Sequence, residues 1–144
     1  MFGKLFGKKV TVAKENLKRL ENRDLMEAMV GGCLLIAFAD GDCEEAELLK
    51  MDEVLRTSKS LEGYGSELTD TINRFTARLK AGYIIGRAEI LREINDVKGS
   101  QTEKEDVLLA MLTVAMSDGQ IEPEEQKELT QVAQRLGLRI EDYV

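Results

Sequence analysis

The chain has 144 residues, 43% apolar and 33% charged, so it is long enough to bury a core and has the composition of a globular protein. Its formal net charge is −7. Lysines contribute +3 within the first nine residues, so the remainder of the chain carries −10. This charge excludes nucleic acid as a ligand and favours divalent cations or basic partners. The sequence has no histidine, which excludes histidine-based acid–base catalysis and ordinary histidine-containing zinc sites.

The cysteines and the apolar runs indicate the compartment. Cys33 lies within an apolar run and Cys43 at an apolar position of a repeat, so both are expected to be small buried residues rather than a redox pair. This usage predicts a reducing compartment. The longest apolar run, residues 107–116, is shorter than the ~18–20 residues of a membrane span, and the N-terminus lacks the apolar core of a signal peptide, so we expect a cytoplasmic protein.

Residues 1–10 are predicted to form a flexible segment in front of one helical domain, residues 11–144. A helix through this segment places Phe2, Leu5 and Phe6 on one side, with lysines around them. Two interpretations stay open: the segment contacts an anionic membrane surface, or its aromatic side chains pack loosely on the domain.

Periodic apolar spacing predicts an all-α bundle of six or seven helices and no strand. The predicted helices cover residues 11–21, 23–39, 43–57, 67–80, 83–97, 103–117 and 123–136. The end of the second segment and residues 107–116 are apolar all round, which predicts two central helices. Gly31 and Gly32 each lower helix propensity by roughly 1 kcal/mol relative to alanine, and close packing against another helix is one reason to tolerate them.

Three predicted helix starts pair a capping residue with a glutamate three positions on. The pairs are Asp42 with Glu45, Thr102 with Glu105, and Glu122 with Glu125. Within the segment 83–97, four residues are expected to face inward: Ala88, Ile90, Leu91 and Ile94.

One pattern occurs twice, at an offset of 78 residues, and suggests two similar helix–loop–helix halves. In each copy an apolar run leads into Asp-Gly, and a glutamate follows six residues after the glycine. Matching positions include Ala37/Ala115, Asp40/Asp118, Gly41/Gly119, Glu44/Glu122 and Glu47/Glu125. We name residues 40–47 and 118–125 the acidic corners.

The acidic corners share the second half of an EF-hand calcium loop but lack its first half. The first two ligand positions of such a loop fall on Val114 and Met116 in the second copy, and on Ile36 and Phe38 in the first. None of these side chains ligates calcium, so a standard EF-hand is excluded.

Carboxylates from the two corners are nevertheless candidate ligands for a hard cation. The candidate metal residues are Asp40, Glu44, Glu47, Asp118, Glu122 and Glu125. All-oxygen ligation favours Ca²⁺, with Mg²⁺ and Mn²⁺ as alternatives, and two corners packed side by side could share one ion. A structural interpretation is also open, because glutamates in the first turn of a helix are stabilised by its dipole and by capping.

These residues resemble the TerB family of tellurite-resistance proteins. The resemblance rests on Ala-Phe-Ala-Asp-Gly at 37–41, Ala-Met-Ser-Asp-Gly at 115–119, the glutamate six residues after each glycine, and Arg-Leu-Gly-Leu at 135–138. By matching position, the acidic residues of the family correspond to Asp40, Glu47, Asp118 and Glu125. Cys43 departs from the branched apolar residue usual at its position.

The resemblance implies an all-helical bacterial stress-response protein without established catalytic activity. It implies divalent-metal binding by the acidic residues and a cytoplasmic location with peripheral association at the inner membrane. It also implies partners among other tellurium-resistance proteins, including an integral membrane protein.

Two other functions are alternatives to metal binding. An acidic interaction module would dock a membrane protein or another basic partner without specific metal binding. A hydrolase with paired carboxylates is disfavoured, because no nucleophile or general acid stands in a recognisable arrangement.

Overall fold

The fold is known from a computed structural model that describes residues 22–41 and 43–144, although not the side chain of Asp118. The predicted segment 1–10, the helix predicted at 11–21 and Asp42 lie outside the described residues. Within the described part there are six α-helices and no strand, which confirms the all-α prediction. The helices are α1 (22–37), α2 (Glu45–Arg56), α3 (Ser66–Ala81), α4 (Tyr83–Asn95), α5 (Gln101–Ala115) and α6 (Pro123–Leu136). Short 3-10 turns follow at Lys59–Leu61, Met116–Asp118 and Ile140–Asp142.

Helices α1 and α5 form the centre of the bundle, as their apolar sequences predict. Nearly every residue from Leu25 to Phe38 is buried. Helix α5 buries Val107 and Leu108 completely and most of the residues that follow as far as Ala115, although Leu109 and Thr113 are exposed. A helix that is apolar on all sides must be surrounded by other helices, and α5 contacts both α2 and α6.

The adjacent glycines of α1 are sites of close helix approach. A Cβ atom built on Gly31 would lie 2.6 Å from Cγ2 of Ile90 in α4. One built on Gly32 would lie 2.7 Å from Sδ of Met111 in α5. Glycine therefore allows α1 to pack tightly between α4 and α5, which offsets its low helix propensity.

The outer helices are joined by packing and by a few ion pairs. Helices α3 and α4 form a hairpin linked through Gly82, and α4 also packs on α6. Nε of Arg87 in α4 lies 3.1 Å from Oε1 of Glu128 in α6. None of the helices among the described residues is long and apolar enough to cross a membrane.

Three local predictions were wrong. Helix α5 begins at Gln101, so Ser100 rather than Thr102 is the N-cap, and the Ser100 hydroxyl accepts a hydrogen bond from the Glu103 N–H at 3.4 Å. Helix α2 begins at Glu45, which therefore stands at its first position and not at the third position that a capping box requires. Ala88 is exposed, because α4 turns Ile90, Leu91 and Ile94 towards the core instead.

Of the two cysteines predicted to be buried, Cys33 is in the core and Cys43 is only partly buried. Cys33 is fully buried, and burial raises the pKa of its thiol to about 12, so it is protonated at neutral pH. Cys43 is half-buried and packs against the edge of the core.

Candidate functional site

The two acidic corners have the same backbone turn. Gly41 has a φ angle of +88° and Gly119 one of +92°, a left-handed conformation that favours glycine. Each glycine N–H donates to the carbonyl three residues earlier, Phe38 in the first corner and Met116 in the second, at 2.9 Å in both cases. The Asp-Gly pair thus ends the central helix in the same way twice.

The links from each corner into the next helix also match. Glu44, with φ −77° and ψ 154°, is the N-cap of α2, and Glu122, with φ −72° and ψ 154°, is the N-cap of α6. Their carbonyl groups accept the first helical hydrogen bonds, from Leu48 and Gln126 respectively. Matching sequence positions therefore adopt matching conformations at both corners.

The corners open onto one shared cleft of about 540 Å³. Five of the six predicted metal residues line it: Asp40, Glu44, Glu47, Glu122 and Glu125. The side chain of the sixth, Asp118, is outside the description. The structure thus brings carboxylates that are far apart in sequence to the walls of a single cavity.

The cleft also contains groups that were not predicted from the sequence. Glu124 adds a further exposed carboxylate from the first turn of α6. The apolar residues of the lining are Ile36, Ala37, Ala46 and Val114. Glu124 could have been found from its place in the acidic run 122–125, whereas the apolar lining depends on how the central helices end together.

The cleft carboxylates differ in exposure and in local role. Glu47 and Glu125 are half-buried, whereas Asp40, Glu44 and Glu122 are exposed. The Glu122 N–H donates to Oε1 of Glu125 at 2.8 Å, which confirms the predicted capping box at the start of α6. Capping thus explains the position of Glu125 without any cation.

Lys50 is the one basic side chain that lines the cleft within the described residues. Its Nζ lies 3.8 Å from Oε2 of Glu53 on the same helix, in an exposed pair. A single lysine leaves the cleft strongly acidic, so its electrostatic potential favours cations.

A second group of carboxylates lies at the other end of α1. Among the described residues, the one trio of acidic side chains whose oxygens all approach within 4.8 Å is Asp24, Glu27 and Glu93. This distance is close enough for one cation to bridge the three. The cleft carboxylates are more widely spaced, so a cation there would need side-chain movement or bridging water.

The electrostatics of this trio are those of crowded, half-buried carboxylates. Burial, a hydrogen bond with Glu27 and the nearby charges of Glu27, Asp96 and Asp24 raise the pKa of Glu93 to about 7. Burial and the neighbouring charges of Glu27 and Asp96 also raise the pKa of Asp24. The trio was not predicted from the sequence, because Glu93 meets the α1 carboxylates through packing alone.

Glu27 is the member of the trio that forms ion pairs with basic residues. Its Oε1 lies 3.5 Å from Nε of Arg23 and 3.1 Å from Nη2 of Arg74. Arg74 in turn stands over the ring of Phe75, with its guanidinium carbon 5.0 Å from the ring centre.

Comparison with curated proteins and with solved structures gave no significant match. A family model did match: the one described as tellurite resistance protein TerB aligns with residues 26–144, which include helices α2 to α6, most of α1 and both acidic corners. By this match, which covers most of the chain, the protein belongs to the TerB family.

Proposed function

We propose that the protein is a non-enzymatic accessory protein of tellurite resistance whose acidic corners bind a divalent cation in their shared cleft. The observation that supports this proposal is the convergence of Asp40, Glu44 and Glu47 with Glu122 and Glu125 on one cavity. The residues were selected from a sequence pattern, and their meeting in space was not required by helix capping. Family membership supports the link to tellurite resistance.

The chemistry of the ligands favours calcium. Carboxylate and hydroxyl oxygens line the cleft, and Ca²⁺ accepts six to eight oxygen ligands in flexible geometry, whereas Mg²⁺ requires a near-ideal octahedron. Spread ligands in an open cleft suit the more tolerant ion. We expect an affinity in the range of roughly 10⁻⁴–10⁻³ M, as in weak calcium modules.

Titration of the isotope-labelled full chain with Ca²⁺, followed through backbone amide shifts, tests the proposal. The amides around Gly41 and Gly119 should move together at millimolar ion. The double variant Glu47→Gln/Glu125→Gln should weaken binding at least about tenfold, or about 1.4 kcal/mol. Glutamine keeps the capping acceptor of Glu125 and removes the charge, so loss of binding would not be a loss of the helix start.

Glu93→Gln is the matched control, since it removes one carboxylate from the trio with Asp24 and Glu27 and none from the cleft. It should leave the calcium response of the corners unchanged. If the shifts centre on residues 24, 27 and 93, or if no amide near either corner moves, the cleft is not the cation site.

A second candidate function is docking of a basic protein partner, including an integral membrane protein of the same resistance system. The exposed lining residue Ala46 favours it, because it offers apolar contact area that a bare ion does not use. Such docking would persist in chelator, weaken with salt and be abolished by Glu47→Lys/Glu125→Lys. The calcium titration separates the two functions, since docking alone predicts no specific response to the ion.

A further inference from the structure

The hairpin of α3 and α4 exposes large apolar side chains at its end. Ile84 is 83% exposed, Ile85 is 69% exposed and Tyr83 is 37% exposed. Ala81 and Ala88 beside them are also exposed. Isoleucine is among the most frequently buried residues, so two adjacent isoleucines in solvent indicate a surface that something else covers. We name residues 80–88 the α3–α4 tip.

The tip is held in place by packing, so the exposure of its isoleucines is a feature of the fold. Gly82 alone separates the two helices. A Cβ atom on Gly86 would lie 3.0–3.1 Å from backbone atoms of Arg78 and Leu79, which shows how closely the helices approach. An ion pair joins the two helices, with Nη1 of Arg78 lying 2.6 Å from Oε2 of Glu89.

The charge around the tip is opposite to that of the whole molecule. Residues 74–92 carry five basic side chains and one acidic side chain, a net charge of +4 in a chain of net charge −7. The basic residues are Arg74, Arg78, Lys80, Arg87 and Arg92, and the acidic residue is Glu89. Glu27 and Glu128 from other helices pair with this surface, and Glu93 follows Arg92 beside Glu27. The balance is +1 when these three carboxylates are counted.

We propose that the α3–α4 tip inserts shallowly into an anionic lipid surface. Ile84 and Ile85 would enter the boundary between head groups and acyl chains, and Tyr83 would lie at the level of the head groups, where aromatic rings with a polar end are favoured. Lys80, which has no ion-pair partner among the described residues, would lie near the lipid phosphates.

Charge and apolar area together favour a lipid surface as the occupant. A second copy of this chain would supply negative charge but little apolar area, and contact between two tips would bring basic residues together. Outside the tip, the exposed large apolar side chains among the described residues lie on four different segments: Leu49, Leu109, Met116 and Val144. An anionic bilayer supplies both an apolar phase for the isoleucines and negative charge for the surrounding basic residues. The proposal is independent of cation binding in the cleft and of the segment 1–10.

Co-sedimentation of the full chain with lipid vesicles tests the proposal. Vesicles containing one-third phosphatidylglycerol should bind the protein, and vesicles of phosphatidylcholine alone should bind it at least about tenfold more weakly. Ile84→Ser/Ile85→Ser should weaken binding to the anionic vesicles at least about tenfold, or about 1.4 kcal/mol. Leu49→Ser, which replaces a 65% exposed leucine on α2, is the matched control and should change binding less than twofold.

A fluorescence measurement tests the same contact without weakening it. The chain contains no tryptophan, so Ile84→Trp supplies a single indole at the tip and Leu49→Trp a control indole on α2. Anionic vesicles should shift the emission of the first to shorter wavelength and leave that of the second unchanged.

Three results would overturn the proposal. One is equal binding to neutral and anionic vesicles. Another is unchanged binding of the serine variant, which would place any membrane contact elsewhere, including residues 1–9. The third is loss of self-association in the serine variant without lipid, measured by analytical ultracentrifugation, because the tip would then be a protein interface.

Discussion

Glu125 belongs both to a helix cap and to the cleft, and the two roles need different properties of its side chain. The cap needs an acceptor oxygen for the Glu122 N–H, which lies 2.8 Å away. A cation needs the negative charge. Glutamine satisfies the first need and not the second, so the structural and ligand interpretations of this residue can be separated by one substitution.

Glu93 is predicted to make the stability of the protein dependent on pH. Burial, its hydrogen bond with Glu27 and the neighbouring charges raise its pKa from 4.5 to about 7 in the folded protein, while the unfolded chain keeps the ordinary value. The folded state therefore holds the proton more tightly, and the free energy of unfolding falls as the pH rises from about 4.5 to 7. Below about pH 4.5 Glu93 is protonated in both states, and its titration no longer lowers the free energy of unfolding.

Glu93→Gln should remove this dependence, because the amide is neutral at every pH. We expect urea unfolding to show a higher midpoint for the variant than for the natural chain at pH 8, and similar midpoints at pH 4.5. The control is Glu62→Gln, at an exposed loop position. A variant less stable than the natural chain at pH 8 would mean that the charged form of Glu93 is the one favoured in the fold.

At the scale of elements, helix faces followed from the sequence more reliably than helix starts. Apolar residues three or four apart must share a face, so the buried stripe of Leu68, Phe75 and Leu79 in α3 was predictable. The choice of an N-cap depends on the turn before the helix. At α5 that turn places Ser100 in extended conformation one residue before Gln101, and Thr102 becomes part of the first turn.

Removing the hydroxyl of Ser100 is predicted to destabilise α5. Ser100→Ala should lower the free energy of unfolding by about 0.5–2 kcal/mol, because the Glu103 N–H loses its acceptor. Thr102→Ala is the matched control. It should lower the free energy of unfolding by less, because alanine has a higher helix propensity than threonine inside a helix. Urea unfolding of both variants measures the difference, and a larger loss from Thr102→Ala would restore Thr102 as the capping residue.

At the scale of the whole molecule, most residues of the candidate site were predictable from the sequence, but the contacts between distant segments were not. The duplicated Asp-Gly pattern was enough to select five carboxylates that share one cleft. Close helix packing was one explanation for Gly31 and Gly32, but the partner Ile90 was not predicted, because contacts between distant segments depend on how the helices pack. The trio of Asp24, Glu27 and Glu93 was missed for the same reason.

Charge distribution is the other property that becomes visible only in three dimensions. A net charge of −7 suggests a uniformly acidic surface. The structure instead places an acidic cleft beside the ends of the central helices and a basic, apolar tip on the hairpin of α3 and α4. Cation binding and lipid contact can therefore occur on different parts of one small domain.

Crowding of carboxylates in the cleft predicts that the cation-free protein becomes more stable with salt. Like charges lining one cavity repel, and raising the ionic strength from 0.01 M to 0.15 M shortens the screening length from about 30 Å to about 8 Å. We expect the melting temperature in chelator to rise by roughly 2–6 °C over this range. Glu44→Gln/Glu122→Gln, which removes two exposed charges from the cleft, should flatten the rise.

The matched control is Glu62→Gln/Glu67→Gln, which removes two exposed charges outside the cleft lining and should keep most of the salt dependence. Calorimetry at equal ionic strength with NaCl or with CaCl₂ then separates screening from binding. A specific site predicts extra stabilisation by calcium that grows with its concentration and is lost in the Glu44→Gln/Glu122→Gln variant. Equal effects of the two salts would mean that calcium only screens the charges of the acidic corners and has no specific site there. Docking of a basic partner would then be the better explanation of the cleft.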